Sequence, residues 1–192
     1  MIGYAFCGSY CTHKDSLAVL THLCNQGYEI QPIFSENTAK TDTRFGTAAA
    51  LRQQVEALCG RRVIDSIAAA EPLGPKLPLE ALVVAPCTGN TLAKVANGIT
   101  DTAVCMAIKA HLRSNRPLLF ALATNDALAA NLKNIGTMLQ RKRVAFVPMR
   151  QDDCQGKPHS LVADFAQIPA ALTRLLTAQS DATLQLQPLF LP

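Results

Sequence analysis

The sequence predicts an α/β protein, a three-layer, doubly wound fold built on a parallel sheet. Three observations carry this. Short apolar runs alternate with stretches of helical periodicity along the 192 residues, and repeated βα units imply a parallel sheet covered on both faces. Apolar residues make up 49% of the chain and charged ones only 17%, which at this length is enough to fill a core. Finally, glycine and small polar residues follow several of the apolar runs, at the strand ends where open sheets gather ligands.

The elements follow in chain order. Ile2 to Cys7 reads as the first strand. Thr12 to Gln26 carries Leu17, Leu20 and Leu23 at helical spacing, and Gly27 supplies the stop. Tyr28 to Phe34 is a second strand, and Phe45 to Leu58 a helix closed by Gly60. Glu71 to Pro78, rich in proline, is an ordered loop. Ala81 to Ala85 is too short for most helices and reads as a buried strand that Pro86 stops. Helices are expected near Thr91–Asn97 and Asp101–Arg113. Pro117 to Ala123 is a strand, Leu128 to Arg141 a helix, and Arg143 to Val147 a last strand ending at Pro148. Leu161, Phe165, Ile168, Leu172 and Leu176 share one helical face, with Pro169 as a start or kink. Residues 1–178 are read as one domain and 179–192 as a C-terminal tail, loose or partner-bound.

Composition narrows the function classes. A net charge of +4, scattered along the chain, argues against a nucleic-acid binder. There is no apolar tract of membrane-spanning length and no basic secretory start, so a cytoplasmic protein is expected. The apolar content leaves surface for contacts between protomers. Seven cysteines, odd in number and spread evenly, do not suggest a disulfide framework. Cys7, Cys11 and His13 lack a second ligand pair at finger-like spacing, so no zinc site is expected.

Candidate site residues gather at the strand ends. The first strand leads into Gly8 and Ser9, where glycine permits close backbone approach and a hydroxyl faces a helix start. Neither a dinucleotide fingerprint nor a complete phosphate-binding P-loop is present, since Ser9 stands where the loop's lysine belongs. The second strand ends at Ser35–Thr38, the third at Thr88–Thr91 and the fourth at Thr124–Asp126. In one parallel sheet these ends share a rim. Ordinary turn chemistry is the competing explanation at each end taken alone. Arg44 beside Phe45 is a candidate clamp for an acidic ligand, because a guanidinium grips a carboxylate at two points. Lys76, Lys94 and Lys109 are weaker candidates, since a surface lysine is usually only solvated. Gln151–Asp153, Lys157 and His159 are expected on the same rim. No serine or cysteine forms a triad with His13, His22, His111 or His159.

Residues Pro86 to Asp101 resemble the signature of the FMN-binding flavoprotein superfamily that contains cysteine decarboxylases and flavin prenyltransferases. The likeness runs from Gly8–Ser9 through Ser35 to Pro148 and implies a Rossmann-like flavoprotein fold. It further implies FMN at the strand-end rim, where protomers meet in homo-oligomers that are trimers or dodecamers. By resemblance the cofactor-binding set is Gly8, Ser9, Ser35, Pro86, Thr88, Gly89, Asn90, Thr91, Ala123 and Thr124, with Gly8 and Ser9 at the phosphate. Thr43–Gly46, Ile64–Ile67, Ala70–Pro78, Thr124–Leu128, Gln151–Asp153 and Leu186–Leu189 together resemble the family of dipicolinate synthase B subunits. That likeness implies a sporulation protein working with the A subunit of dipicolinate synthase. The pair would make dipicolinic acid from a dihydrodipicolinate-type dicarboxylate, with the nicotinamide cofactor on the A subunit. Arg44 and Lys109 would then hold carboxylates, and Asn125 and Asp126 would orient the ring or move a proton.

The chain also departs from its wider relatives. Flavin prenyltransferases carry an Arg-Glu-Thr-Pro string where this chain has Ala123–Asp126, and another phosphate-binding arginine of theirs falls at Met106. Losing charge-assisted contacts worth roughly 1.5–3 kcal/mol each should leave prenyl phosphate poorly bound. Three readings therefore stand at this point: a component of an oxidoreductase complex with a flavin-type site, a non-catalytic partner of the A subunit, and a flavin-modifying transferase.

Overall fold

The computed structural model describes residues 1–74 and 76–177. Its central strand, β1 (Ile2–Phe6), is buried throughout and lies between β2 (Ile30–Phe34) and β3 (Leu82–Cys87). Strand β4 (Leu118–Thr124) follows β3, and β5 (Val144–Phe146) pairs with the first half of β4. All these pairings are parallel. Tyr4, Phe6, Phe34, Phe120 and Phe146 are fully enclosed, as expected for strands covered on both faces. The chain leaves β1 toward β2 and returns to β3 on the other side. The order reverses between β1 and β3, where open sheets of this kind form a crevice.

The helices are α1 (His13–Asn25), α2 (Glu36–Lys40), α3 (Ala48–Cys59), α4 (Ile67–Ala70), α5 (Gly89–Ala96), α6 (Ala103–Leu112), α7 (Leu132–Leu139) and α8 (Ile168–Thr177). Ser35, Thr47, Ser66, Thr88 and Thr102 each accept the backbone N–H three residues on, starting α2 to α6. Each such cap is worth about 1 kcal/mol. Glu36 extends the pattern by accepting the N–H of Ala103 at 3.0 Å, which ties the end of β2 to the start of α6. Gly60 closes α3 with φ of 62°, the left-handed conformation that glycine adopts without strain.

Several sequence expectations are corrected. Pro86 does not stop β3: after a register shift, Cys87 pairs with Leu122, and the Ala85–Pro86 peptide is cis. Proline has no N–H to donate, and the irregular ladder accommodates it. The strand at 144–146 is not the last. Met149–Arg150 (β6) and Leu161–Ala163 (β7) form an antiparallel pair, and β7 also pairs with the end of β4 through Ala123↔Val162 and Thr124↔Leu161. The sheet is therefore mostly, not wholly, parallel. The helical face expected from Leu161 to Leu176 divides into β7, a 3-10 turn at Phe165–Gln167, and α8, with Pro169 in the first turn of α8. Helices α2 and α4, five and four residues long, were not anticipated. The tail 179–192, with the Leu186–Leu189 likeness, lies outside the described residues.

Candidate functional site

A cleft of about 570 Å³ opens over the carboxyl ends of β1, β3 and β4. Its floor at β1 is Gly8, Ser9 and the 3-10 turn Tyr10–Thr12. That turn is braced on three sides. Thr12 donates its hydroxyl to Ser9 O at 2.8 Å, Tyr10 donates to Asn37 O at 3.1 Å, and His13 Nε2–H donates to Cys7 O at 2.8 Å. Burial holds the His13 imidazole below its usual range, so the ring is neutral and serves as a strut.

The floor at β3 is the start of α5. Thr88 Oγ1 accepts the N–H of Thr91 at 3.2 Å and donates to Thr91 Oγ1 at 3.1 Å. Thr91 in turn donates to the Cys7 sulfur at 3.4 Å, joining α5 to β1 inside the protein. Burial pushes the Cys7 thiol up to about 12 and the Cys87 thiol well above its ordinary value, so both are packed thiols, not nucleophiles. Farther along, Lys94 pairs with Asp101 at 2.9 Å and closes the loop between α5 and α6.

The β4 wall is a polar network. Asp126 Oδ1 accepts from Thr124 Oγ1 at 2.6 Å, and Asn131 Nδ2 donates to both Asp126 oxygens at 2.9 Å. Asn134 donates to Asn131 Oδ1 at 2.9 Å behind it. Gly89 lies against this network: a Cβ there would stand 2.5 Å from Thr124 Oγ1 and Asn131 Nδ2, and 2.8 Å from Asp126 Oδ1. No other residue fits without displacing the network. Helix α5 can therefore begin this close to β4 only at a glycine.

Two loops complete the cleft. Arg44 lies over the Phe45 ring at 4.9 Å, with the ring 54% exposed. On another wall Lys157 pairs with Asp152 at 3.1 Å.

The structure thus brings together Gly8, Ser9, Arg44, Thr88, Gly89, Asn90, Ala123, Thr124, Asn125 and Asp126. Their conditions differ. Thr88, Thr124 and Asp126 are engaged within the protein. The side chains of Ser9, Asn90 and Asn125 and the Arg44 guanidinium make no hydrogen bond or ion pair among the described residues. Other expected site residues fall elsewhere. Ser35, 9% exposed, caps α2 and meets the Thr38 hydroxyl at 3.0 Å. Pro86 and Thr91 face the interior. Lys109 lines a separate cavity of about 280 Å³ with Ile108, Arg113 and Arg141, so within this chain it does not share a site with Arg44. Sequence reasoning did not single out Tyr10, Cys11 or Val162 as lining residues. The only signal for the first two was their place beside Gly8 and Ser9.

Comparison with known proteins adds the lineage. The Flavoprotein family profile matches residues 2–169. The chain is 43% identical over 188 residues to the dipicolinate synthase B subunit of Bacillus subtilis (strain 168), covering 98% of this chain and 92% of that protein. The crystal structure of the dipicolinate synthase B subunit from Bacillus halodurans superposes with a TM-score of 0.88 at 36% identity, covering 100% of this chain and 95% of that one. The FMN-dependent cysteine decarboxylase SpaF shares the fold at a TM-score of 0.67 and 21% identity, over 94% of this chain and 97% of its own. With its mostly parallel sheet, its crevice at the β1/β3 reversal and these likenesses, the chain belongs to the Flavoprotein family and, within it, to the dipicolinate synthase B subunits.

Proposed function

We propose that this chain works with the A subunit of dipicolinate synthase to form dipicolinic acid from a dihydrodipicolinate-type dicarboxylate in the cytoplasm of the sporulating cell, and that its rim cleft holds FMN. The observation that carries the reading is the set of uncommitted groups in the cleft: the Ser9 hydroxyl, the Asn90 and Asn125 amides and the Arg44 guanidinium. This donor set fits a flavin mononucleotide, which needs hydroxyl and backbone N–H partners for its phosphate and amide partners for its ring edge. Gly8 and Ser9 would hold the phosphate, and Asn90 and Asn125 the ring. When bound, the flavin supplies the two-electron chemistry that turning a dihydropyridine into a pyridine requires.

The chain's own residues bind and orient. Arg44 offers a planar fork to a substrate carboxylate, its guanidinium already stacked on Phe45. Asp126, with donors on both oxygens, holds Thr124 in place and is an orienting group in this reading. A homo-oligomer, trimeric or dodecameric, is part of this proposal, as the family resemblance implies. The nicotinamide cofactor would sit on the A subunit.

The test is to purify the chain, record its visible spectrum with FMN added, and assay dipicolinate formation with the A and B proteins separately and mixed. Flavin absorbance that stays with the protein, and synthesis only in the mixture, is the expected result. A colourless chain that still activates the A subunit would replace this reading with a non-catalytic partner. Prenyl transfer to reduced FMN by the isolated chain would replace it with a transferase.

A further inference from the structure

The loop between β6 and β7 is a built wall of the cleft. Gln151 Nε2 donates to Pro158 O at 2.7 Å, Asp153 Oδ1 accepts the N–H of Gly156 at 2.8 Å, and Asp153 O accepts the N–H of Lys157 at 2.8 Å. Ser160 N–H donates to Lys157 O at 3.0 Å, and His159 O accepts from Leu128 N at 3.0 Å, which fastens the loop to the turn after β4. The backbone of Lys157 is thereby held on both sides.

Of the residues lining the cleft, two are cations, Arg44 and Lys157, and they come from different loops. Lys157 reaches the cleft in company with Asp152, 3.1 Å away. Beside that carboxylate lies Ser160, 1% exposed, whose hydroxyl has no partner of good hydrogen-bond geometry among the described residues. Ser160 first, and Lys157 after it, hold the Asp152 carboxyl below its usual range, so Asp152 is an anion at neutral pH. An ammonium has three N–H donors. With one directed to Asp152, two remain for a ligand, and the ion pair fixes where they are offered.

We propose that Lys157, held by Asp152, is a second carboxylate-binding group of this cleft, so that with Arg44 it selects small ring compounds bearing two carboxylates over those bearing one. This rests on the reading above that the cleft takes a dicarboxylate, and it replaces Lys109, which lines another cavity, as the second cation. Lys157 is half-exposed, and solvent screening sets its contribution to selectivity at about tenfold in affinity, the low end for a charged contact.

The experiment is isothermal titration of the full-length chain, with FMN present, using pyridine-2,6-dicarboxylate and pyridine-2-carboxylate as probes. The wild type should bind the diacid about tenfold more tightly than the monoacid. Lys157→Met should bind both alike, Lys157→Arg should restore the preference, and added salt should shrink it in the wild type. A Lys157→Met chain that keeps the wild-type preference overturns this proposal and leaves the dicarboxylate reading standing. A wild type that binds neither acid overturns that reading, and this proposal with it.

Discussion

Gly89→Ala is the substitution whose consequence can be worked most directly from the geometry. The added methyl would sit 2.5 Å from two polar atoms and 2.8 Å from a third. None of the three is a free flexible end, because Thr124, Asp126, Asn131 and Asn134 are linked by hydrogen bonds of 2.6 to 2.9 Å. Overpacking a well-filled site costs about 1–3 kcal/mol, and pushing apart one link adds about 1 kcal/mol. Alanine returns about 0.5–1 kcal/mol through its better helix propensity. The net expectation is a loss of roughly 1–3.5 kcal/mol, or a fall in Tm of about 2–14 °C for a domain of this size. Urea unfolding and a thermal scan measure both. The double variant Gly89→Ala with Asn131→Ala should lose less than the sum of the two singles, since removing the Asn131 amide vacates one contact. Gly89→Ala unfolding within about 0.5 kcal/mol of wild type would refute the close approach of α5 to β4.

Ser16→Ala should destabilise the fold by about 1–3 kcal/mol in urea, because the enclosed Ser16 hydroxyl donates to Ala85 O at 2.6 Å and also meets Tyr4 OH at 3.0 Å. A loss below about 0.5 kcal/mol would mean that neither partner depends on it. His111 is fully enclosed, donates Nε2–H to Pro117 O at 2.7 Å, and is lowered by burial from 6.5 to about 4. Its native form is neutral, so the stability it confers is present above pH 6.5 and lost as pH falls from 6.5 toward 4, where the unfolded chain takes up the proton. Between about pH 7 and 5.5 that loss is about 1 kcal/mol, and a His111→Gln chain with an unchanged pH slope would exclude His111 as its source. Arg44→Ala should weaken binding of pyridine-2,6-dicarboxylate by about 1.5–3 kcal/mol in calorimetry, and unchanged affinity would remove Arg44 from the carboxylate site.

The five parallel strands were legible because their apolar runs are short and bounded by glycine, proline or polar residues. The rim was legible for the same reason, since the residues just after each run lie at one edge of the sheet. The antiparallel pair was not. Met149–Arg150 is two residues long, and Leu161 falls at the head of a run whose spacing from Phe165 to Leu176 is helical, so period alone absorbed it into α8. Capping also hides intent. Ser35 and Thr88 both follow strands and both cap helices, yet only Thr88 lines the cleft. That Lys109 lines another cavity while Lys157 lines the cleft depended on how a helix and a loop turn in space, which no local pattern encodes.

The hairpin's attachment has a consequence for descent. It meets the sheet through two residue pairs at the tip of β4, while the five parallel strands are held by one another. Replacements at the exposed positions 151–158 can therefore accumulate with little effect on the parallel strands. Paralogues that keep the same mouth would be expected to diverge first along this side, exchanging one clientele of ligands for another while the architecture beneath is inherited intact.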